Sequence, residues 1–273
     1  MNPAERTEHV DAIREELERD PSPGIGRTGE RREPVIALRD VFLSFDHPIL
    51  EGVDLTVYRG ETLHIVGESG TGKSTILKLI LRLLQPDRGD VEVFGERIAS
   101  YSFQQALDLR RRIGMVFQNA ALFDSLNVYE NIAYPLRENT AQDEDAIEET
   151  VRQKLDFVDL DPDRVMPQLP SQLSGGMRKR VGIARAIATD PEVVLYDEPT
   201  AGLDPLTVGK VNSLIRKLQR ELGVTSVLVS HDIRAGFRVA NRVSLLRDGN
   251  IQFVGTPEEM VAVDDPYINA FLS

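Results

Sequence analysis

The sequence predicts an α/β protein with a largely parallel sheet and helices on its faces. Three observations carry that prediction. Strand-like segments alternate with segments of helical period along most of the chain. Val193 to Tyr196 is a continuous apolar run, suited to a strand buried on both faces. A glycine-rich stretch, Gly67 to Gly72, separates a strand-like segment from a helix-like one.

Taken in order, residues 1–33 stand apart. Ala4 to Arg19 can form a polar helix, with Val10, Ile13 and Leu17 at near-helical spacing. Asp20 to Gly24 and Gly26 to Gly29 then break regular structure. The charge content favours a mobile, solvated extension over a docked helix. Val35 to Phe45 and Val53 to Val57 alternate as strands, with Pro48 between them, and Glu61 to Val66 is a further strand. A helix is predicted over Gly72 to Leu84, a turn over Pro86 to Gly89 and a strand over Asp90 to Phe94. Arg112 to Phe117 is another strand. Residues 119–172 read as a helical insertion, acidic around Asp143 to Glu149 and punctuated by Pro135, Pro162, Pro167 and Pro170. A helix from Ser174 to Thr189 precedes the apolar strand. Pro205 to Leu222 is a helix, Thr225 to Val229 a strand, and Arg242 to Val254 a hairpin turning at Asp248-Gly249.

The composition narrows the class. The 273 residues are 41% hydrophobic and 28% charged, which excludes a polytopic membrane protein, a collagen-like chain and a wholly disordered one. The net charge of −12 disfavours sequence-independent nucleic-acid binding, which depends on Lys and Arg neutralising phosphates. With no cysteine, disulfides, thiol catalysis and Cys-bearing zinc sites drop out. The charged N-terminus lacks the apolar core of a signal peptide, and no run approaches the roughly eighteen apolar residues of a membrane span. The chain therefore reads as cytoplasmic, with any membrane attachment supplied by another protein.

Gly67-Glu68-Ser69-Gly70-Thr71-Gly72-Lys73-Ser74, continuing into Thr75, fits the phosphate-binding pattern G-x-x-x-x-G-K-[ST]. The glycines let backbone N–H groups face a phosphate, and the following helix adds its positive end. Lys73 is placed to reach the β- and γ-phosphates and Ser74 to ligate magnesium. At the end of the apolar strand stand Asp197, Glu198 and Pro199, and Pro199 biases Glu198 toward extended backbone. Asp197 suits magnesium, and Glu198 suits orienting or deprotonating an attacking water.

Leu173-Ser174-Gly175-Gly176-Met177 then decides between the many users of a phosphate-binding loop. It resembles the L-S-G-G-Q signature of the ATP-binding-cassette ATPases, with Met177 in place of Gln. The resemblance covers about Val35 to Val254. It implies a RecA-like core, an antiparallel β subdomain and a helical, signature-bearing subdomain at about residues 119–176. The organisation it implies is an N-terminal extension (1–33), an ATPase domain (34–254) and a C-terminal extension (255–273). In the family, Ser174, Gly175 and Gly176 grip the γ-phosphate bound to the opposite subunit of a dimer. The family pattern makes Gln118 the Q-loop glutamine, touching magnesium and coupling to the membrane partner. It makes Asp204 the D-loop aspartate, communicating across the dimer, and His231 the switch histidine on the γ-phosphate. Phe45 occupies the place of the aromatic that stacks on adenine, the alternative being a core strand residue.

Residues 118–138 and the Met177 signature resemble the Mla- and Mce-type subgroup, which moves phospholipids or other hydrophobic compounds between membranes. That implies a second copy of the chain, an integral-membrane permease, an Mce-type lipid-binding partner and a place at the cytoplasmic face of the inner membrane. Ala120 to Phe123 and Tyr134 to Leu136 are candidate groups to receive a helix of the permease. An ATPase of another importer or exporter would use the same chemistry. An ATPase of this type acting on DNA or ribosomes is opposed by the absence of a coiled-coil insertion between Ser74 and Leu173, the single cassette and the acidic balance.

Overall fold

The computed structural model describes residues 3–19 and 33–272. They divide into two compact units, one drawn from Met1–Ser100 and Val227–Ser273, the other from Tyr101–Ser226. The first unit begins with helix α1 (Pro3–Arg19), strands β1 (Pro34–Ser44), β2 (Pro48–Tyr58) and β3 (Thr62–Val66), helix α2 (Lys73–Ile80) and strands β4 (Arg88–Val93) and β5 (Glu96–Arg97). β2, β1, β4 and β5 form an antiparallel sheet in that order. The register sets Leu38 opposite both Leu55 and Val91, so the apolar residues of three strands share one face. Pro48 opens β2, a first-residue position where the missing N–H costs no ladder bond.

The second unit holds α3 (Phe103–Arg111), β6 (Ile113–Val116), α4 (Val128–Asn139), α5 (Glu144–Phe157), α6 (Pro162–Val165), α7 (Gly175–Ala186), β7 (Val193–Asp197) and α8 (Pro205–Leu222). β6 and β7 pair in parallel, Ile113 with Val193 through Val116 with Tyr196. The apolar residues Val193 to Tyr196 are fully buried, as their composition predicted. This unit is wider than the helical insertion read at residues 119–172, because it also includes α3, the two strands, α7 and α8. Pro135 lies inside α4 rather than ending a helix. Its neighbour Asn139 donates from Nδ2 to the Pro135 carbonyl at 2.8 Å.

The chain passes through β8 (Thr225–Val229) back to the first unit, with α9 (Ile233–Phe237), β9 (Arg242–Arg247), β10 (Asn250–Gly255), α10 (Pro257–Ala262) and α11 (Pro266–Leu272). β3 and β9 are parallel neighbours, and β9 and β10 form the predicted hairpin. The helix predicted to reach Leu84 ends at Ile80. Arg82 stands just beyond that end with φ 49°, outside the right-handed helical region.

The N-terminal expectation is corrected. Residues 3–19 form a helix docked on the fold rather than a solvated extension. Val10, Ile13 and Leu17 are buried in one cluster with Met260, Val261, Ile268 and Leu272 of the two C-terminal helices. Arg14 donates to the Val261 carbonyl at 3.3 Å, and Arg238 Nε donates to Glu16 at 2.9 Å. A narrow apolar stripe suffices here because α10 and α11 present an apolar surface to it. Residues 20–32, also assigned to the mobile extension, lie outside the described residues.

His64, at the centre of β3, is fully buried, and its ring lies so close to Gly236 of α9 that an added Cβ there would overlap the imidazole. Burial pushes its pKa down to about 3. The unfolded chain takes up this proton near pH 6.5 while the folded chain does not, so the contribution is intact above that pH and declines as pH falls toward 3. Urea unfolding of wild type and His64→Leu tests this. The wild type minus variant stability should be flat above pH 7.5 and fall by about 2 kcal/mol by pH 5.

Candidate functional site

The predicted site residues fall in both units. In the first, β3 is buried along all five residues and delivers the chain into Gly67. Gly72 caps α2 with φ 100°, a left-handed conformation that favours glycine. A Cβ at Gly72 would sit 2.9 Å from Ile49 Cγ2 and 3.0 Å from Leu50 Cδ2, so the start of α2 lies directly on β2. Lys73 is 7% exposed, and its ammonium donates to the carbonyls of Gly67 at 2.9 Å and Glu68 at 2.7 Å. Thr71 Oγ1 donates to the same Glu68 carbonyl at 2.9 Å. Glu68, Ser69 and Gly70 remain exposed, while Ser74 and Thr75 are half-buried in the first turn of α2. The result is a loop closed about its own lysine at a helix N-terminus, with an open rim.

Phe45 follows β1 and is 60% exposed, which removes the core-strand alternative. His231 is exposed between β8 and α9, where Asp232 caps the helix by accepting from Ala235 N at 2.9 Å. The sequence reading missed a contact on the loop. Tyr267 of α11 donates its hydroxyl to the Glu68 carboxylate at 3.1 Å, with the Arg247 guanidinium 3.7 Å above its ring. The C-terminal extension thus touches the rim of the glycine-rich loop.

In the second unit, β6 leads to Gln118 and β7 to Asp197 and Glu198. Ser174 caps α7, its Oγ accepting from Met177 N at 3.3 Å, as its position before two glycines implied. Gly176 is packed so closely on α8 that a Cβ would lie 2.6 Å from Thr207 Cγ2. Asp204 caps α8. Its Oδ1 accepts from Leu206 N and Thr207 N at 3.1 Å each, and its Oδ2 from the Thr207 hydroxyl at 2.6 Å. Those donors, the hydroxyl first, hold its carboxyl below the usual carboxylate range. A cleft of about 360 Å³ lies between the signature helix and the turn after β7, lined by Gln118, Gly175, Lys179, Ala201 and Leu203 among others.

Lys179 was not singled out in the sequence. It is 5% exposed, and its ammonium donates to the carbonyls of both Gln118 and Glu198, the latter at 3.3 Å. Burial pulls its pKa down to about 8 against the opposing effect of the Glu198 and Asp197 carboxylates. Asn131 of α4 is fully buried and fastens the segment after Gln118, accepting from Phe123 N at 2.8 Å and donating to the carbonyls of Phe123, Leu126 and Asn127.

Of the apolar groups predicted to receive a permease helix, Ala120 and Leu136 are buried in the unit, so they cannot form a receiving surface. Phe123 and Tyr134 do reach the surface, their rings 5.4 Å apart. With Phe117, Arg110, Arg111 and Arg185 they line an open groove of about 350 Å³.

A glycine-rich loop between a β-strand and a helix in one unit, and paired carboxylates at the end of a parallel strand in the other, are the sequence and local-structure features shared by P-loop nucleotide hydrolases. The sequence pattern of the ABC transporter family matches residues 50–201. The chain belongs to that family, as an ATPase with the cassette fold. It is 40% identical over 239 residues to the intermembrane phospholipid transport system ATP-binding protein MlaF of Escherichia coli strain K12, covering 87% of this chain and 88% of that one. Its fold is similar to the dimeric post-hydrolysis state of the ATP-binding cassette MJ0796 bound to ADP and Pi (TM-score 0.75, 33% identity, 81% of this chain and 98% of that one). It is similar also to CbiO1 of Clostridium perfringens, part of the ABC transporter complex CbiONQ (TM-score 0.76, 28% identity, 88% of this chain and 99% of that one).

Asp204 offers a direct check on the local geometry. Asp204→Ala should lower the urea midpoint of unfolding through loss of the cap, and Asp204→Asn should retain most of the stability. Urea titration of the three proteins reads the difference.

Proposed function

We propose that this chain binds MgATP and hydrolyses it to ADP and phosphate, driving phospholipid movement between membranes through a separate permease. The observation that carries the nucleotide reading is the Gly67–Ser74 loop, closed about Lys73 at the N-terminus of α2 with its rim open. Backbone N–H groups and Lys73 would hold the β- and γ-phosphates, and Phe45 would offer its exposed ring to adenine. Glu198 would take the proton of the attacking water, and His231 would contact the γ-phosphate. Ser74, Gln118 and Asp197 offer only oxygen donors, a set that suits magnesium arriving with phosphates. Among the described residues no cluster of three His, Cys, Asp or Glu could hold a metal alone. Magnesium would supply charge neutralisation on the phosphate oxygens.

Two copies would form an isologous dimer, with Ser174 to Gly176 of each facing nucleotide held by the other and Asp204 near the shared surface. The dimeric cassette named above supports that arrangement. A permease partner is supported by the transporter complex to which CbiO1 belongs, and among the described residues no helix is long and apolar enough to cross a membrane. The groove of Phe117, Phe123 and Tyr134, edged by arginines, suits an aromatic or acidic segment of that permease. The phospholipid reading rests on the 40% identity to MlaF, together with the Met177 signature. It brings with it an Mce-type lipid-binding partner and a place at the cytoplasmic face of the inner membrane.

Glu198→Gln tests the chemistry. It should bind ATP with near-normal affinity, lose at least about a hundredfold in kcat and accumulate dimers on gel filtration with ATP. Near-normal turnover would remove Glu198 from the role of base. The transport reading is tested by purifying the tagged chain from detergent-solubilised membranes. A permease with bound phospholipid should accompany it, and a ribosome in its place would contradict the transporter assignment.

A further inference from the structure

Helix α7 turns one face toward the segment that follows β6, and three residues spaced three apart make the contact. At Gly182 the approach is so close that an added Cβ would lie 3.1 Å from the Ala120 Cβ. Arg185 donates to the carbonyls of Ala120 and Ala121, each at 2.8 Å. Both alanines have left-handed backbones, with φ of 59° and 47°. That conformation is costly away from glycine and persists only where surrounding contacts hold it. Lys179 completes the row at the carbonyl of Gln118.

Lys179 does one thing more. Its second acceptor is the carbonyl of Glu198, which is also left-handed at φ 49° and accepts from Ala201 N at 3.3 Å. The residue bearing the proposed base thus sits on a strained turn that one buried ammonium helps to hold. The same ammonium holds Gln118, at the end of a different strand. An ordinary packing role would not require a charge here, and burying an ammonium is unfavourable unless its donors are satisfied.

We infer that Lys179 is a positioning residue for ATP hydrolysis: its ammonium ties the Glu198 turn to the Gln118 loop, so that movement of the signature helix alters both. The inference rests on the reading of Glu198 as the base. Lys179 touches no nucleotide in this scheme. It acts through the backbone on which the carboxylate is mounted, and its loss should affect turnover more than ATP binding.

The test compares steady-state ATPase kinetics and fluorescent-ATP affinity of wild type, Lys179→Met, Lys179→Arg and Glu198→Gln, with thermal unfolding as the check on folding. Methionine fills similar space without the donors, and arginine keeps both charge and donors. Lys179→Met should lose about tenfold to a hundredfold in kcat, with KM and ATP affinity within about twofold of wild type. Lys179→Arg should recover most of that loss. If Lys179→Met does not fold, Lys179→Gln takes its place in the comparison. The inference is overturned if the neutral variant keeps kcat within about twofold of wild type, if ATP affinity falls in step with kcat, or if arginine is no better than methionine. Near-normal turnover by Glu198→Gln would instead remove the base assignment, whatever the Lys179 variants do.

Discussion

A chain that leaves a buried strand toward a ligand must turn sharply, and the carbonyls exposed by that turn need donors. Each unit meets this constraint with a buried ammonium. Lys73 closes the loop after β3 on the carbonyls of Gly67 and Glu68. Lys179 joins the turns after β6 and β7 through Gln118 and Glu198. The two lysines differ in what they leave open. Lys73 stands at a helix N-terminus whose amides and rim can accept phosphate, whereas Lys179 is committed to main-chain acceptors and holds geometry.

The surrounding packing follows from keeping those turns in place. Close approach at Gly182 and Gly176 brings α7 against the Ala120 segment and α8, where any larger side chain would force the elements apart. Asn131 satisfies four main-chain groups of the segment leading away from Gln118, so a fully buried amide has no wasted polar capacity. In the first unit the rim of the glycine-rich loop is reached by Tyr267 from α11, and α11 packs in turn on α1. Helices α1 and α11 are thereby connected to the glycine-rich loop by ordinary contacts.

The parts of this molecule legible in the sequence were those with short-range physical causes. Gly67 to Ser74 declares its turn through glycine, Val193 to Tyr196 declares burial through composition, and Ser174 declares a helix start. What stayed hidden depended on partners distant in the chain. Val10, Ile13 and Leu17 form a weak stripe whose value appears only when α10 and α11 lie against it. Lys179 looks like one basic residue in the run Arg178-Lys179-Arg180, and nothing local separates the buried member from its neighbours. The three-residue spacing of Lys179, Gly182 and Arg185 was the available signal. Ala120 was read as a candidate to receive a permease helix, yet the left-handed turn folds it inward.

The central claim is that the Lys73 loop is a nucleotide site. Calorimetric titration of the purified chain and Lys73→Ala with MgATP tests it most directly. Saturable binding by the wild type, weakened at least about a hundredfold in the variant, is the predicted result. Equal affinity in the two proteins, or no binding by a folded wild type, would contradict it.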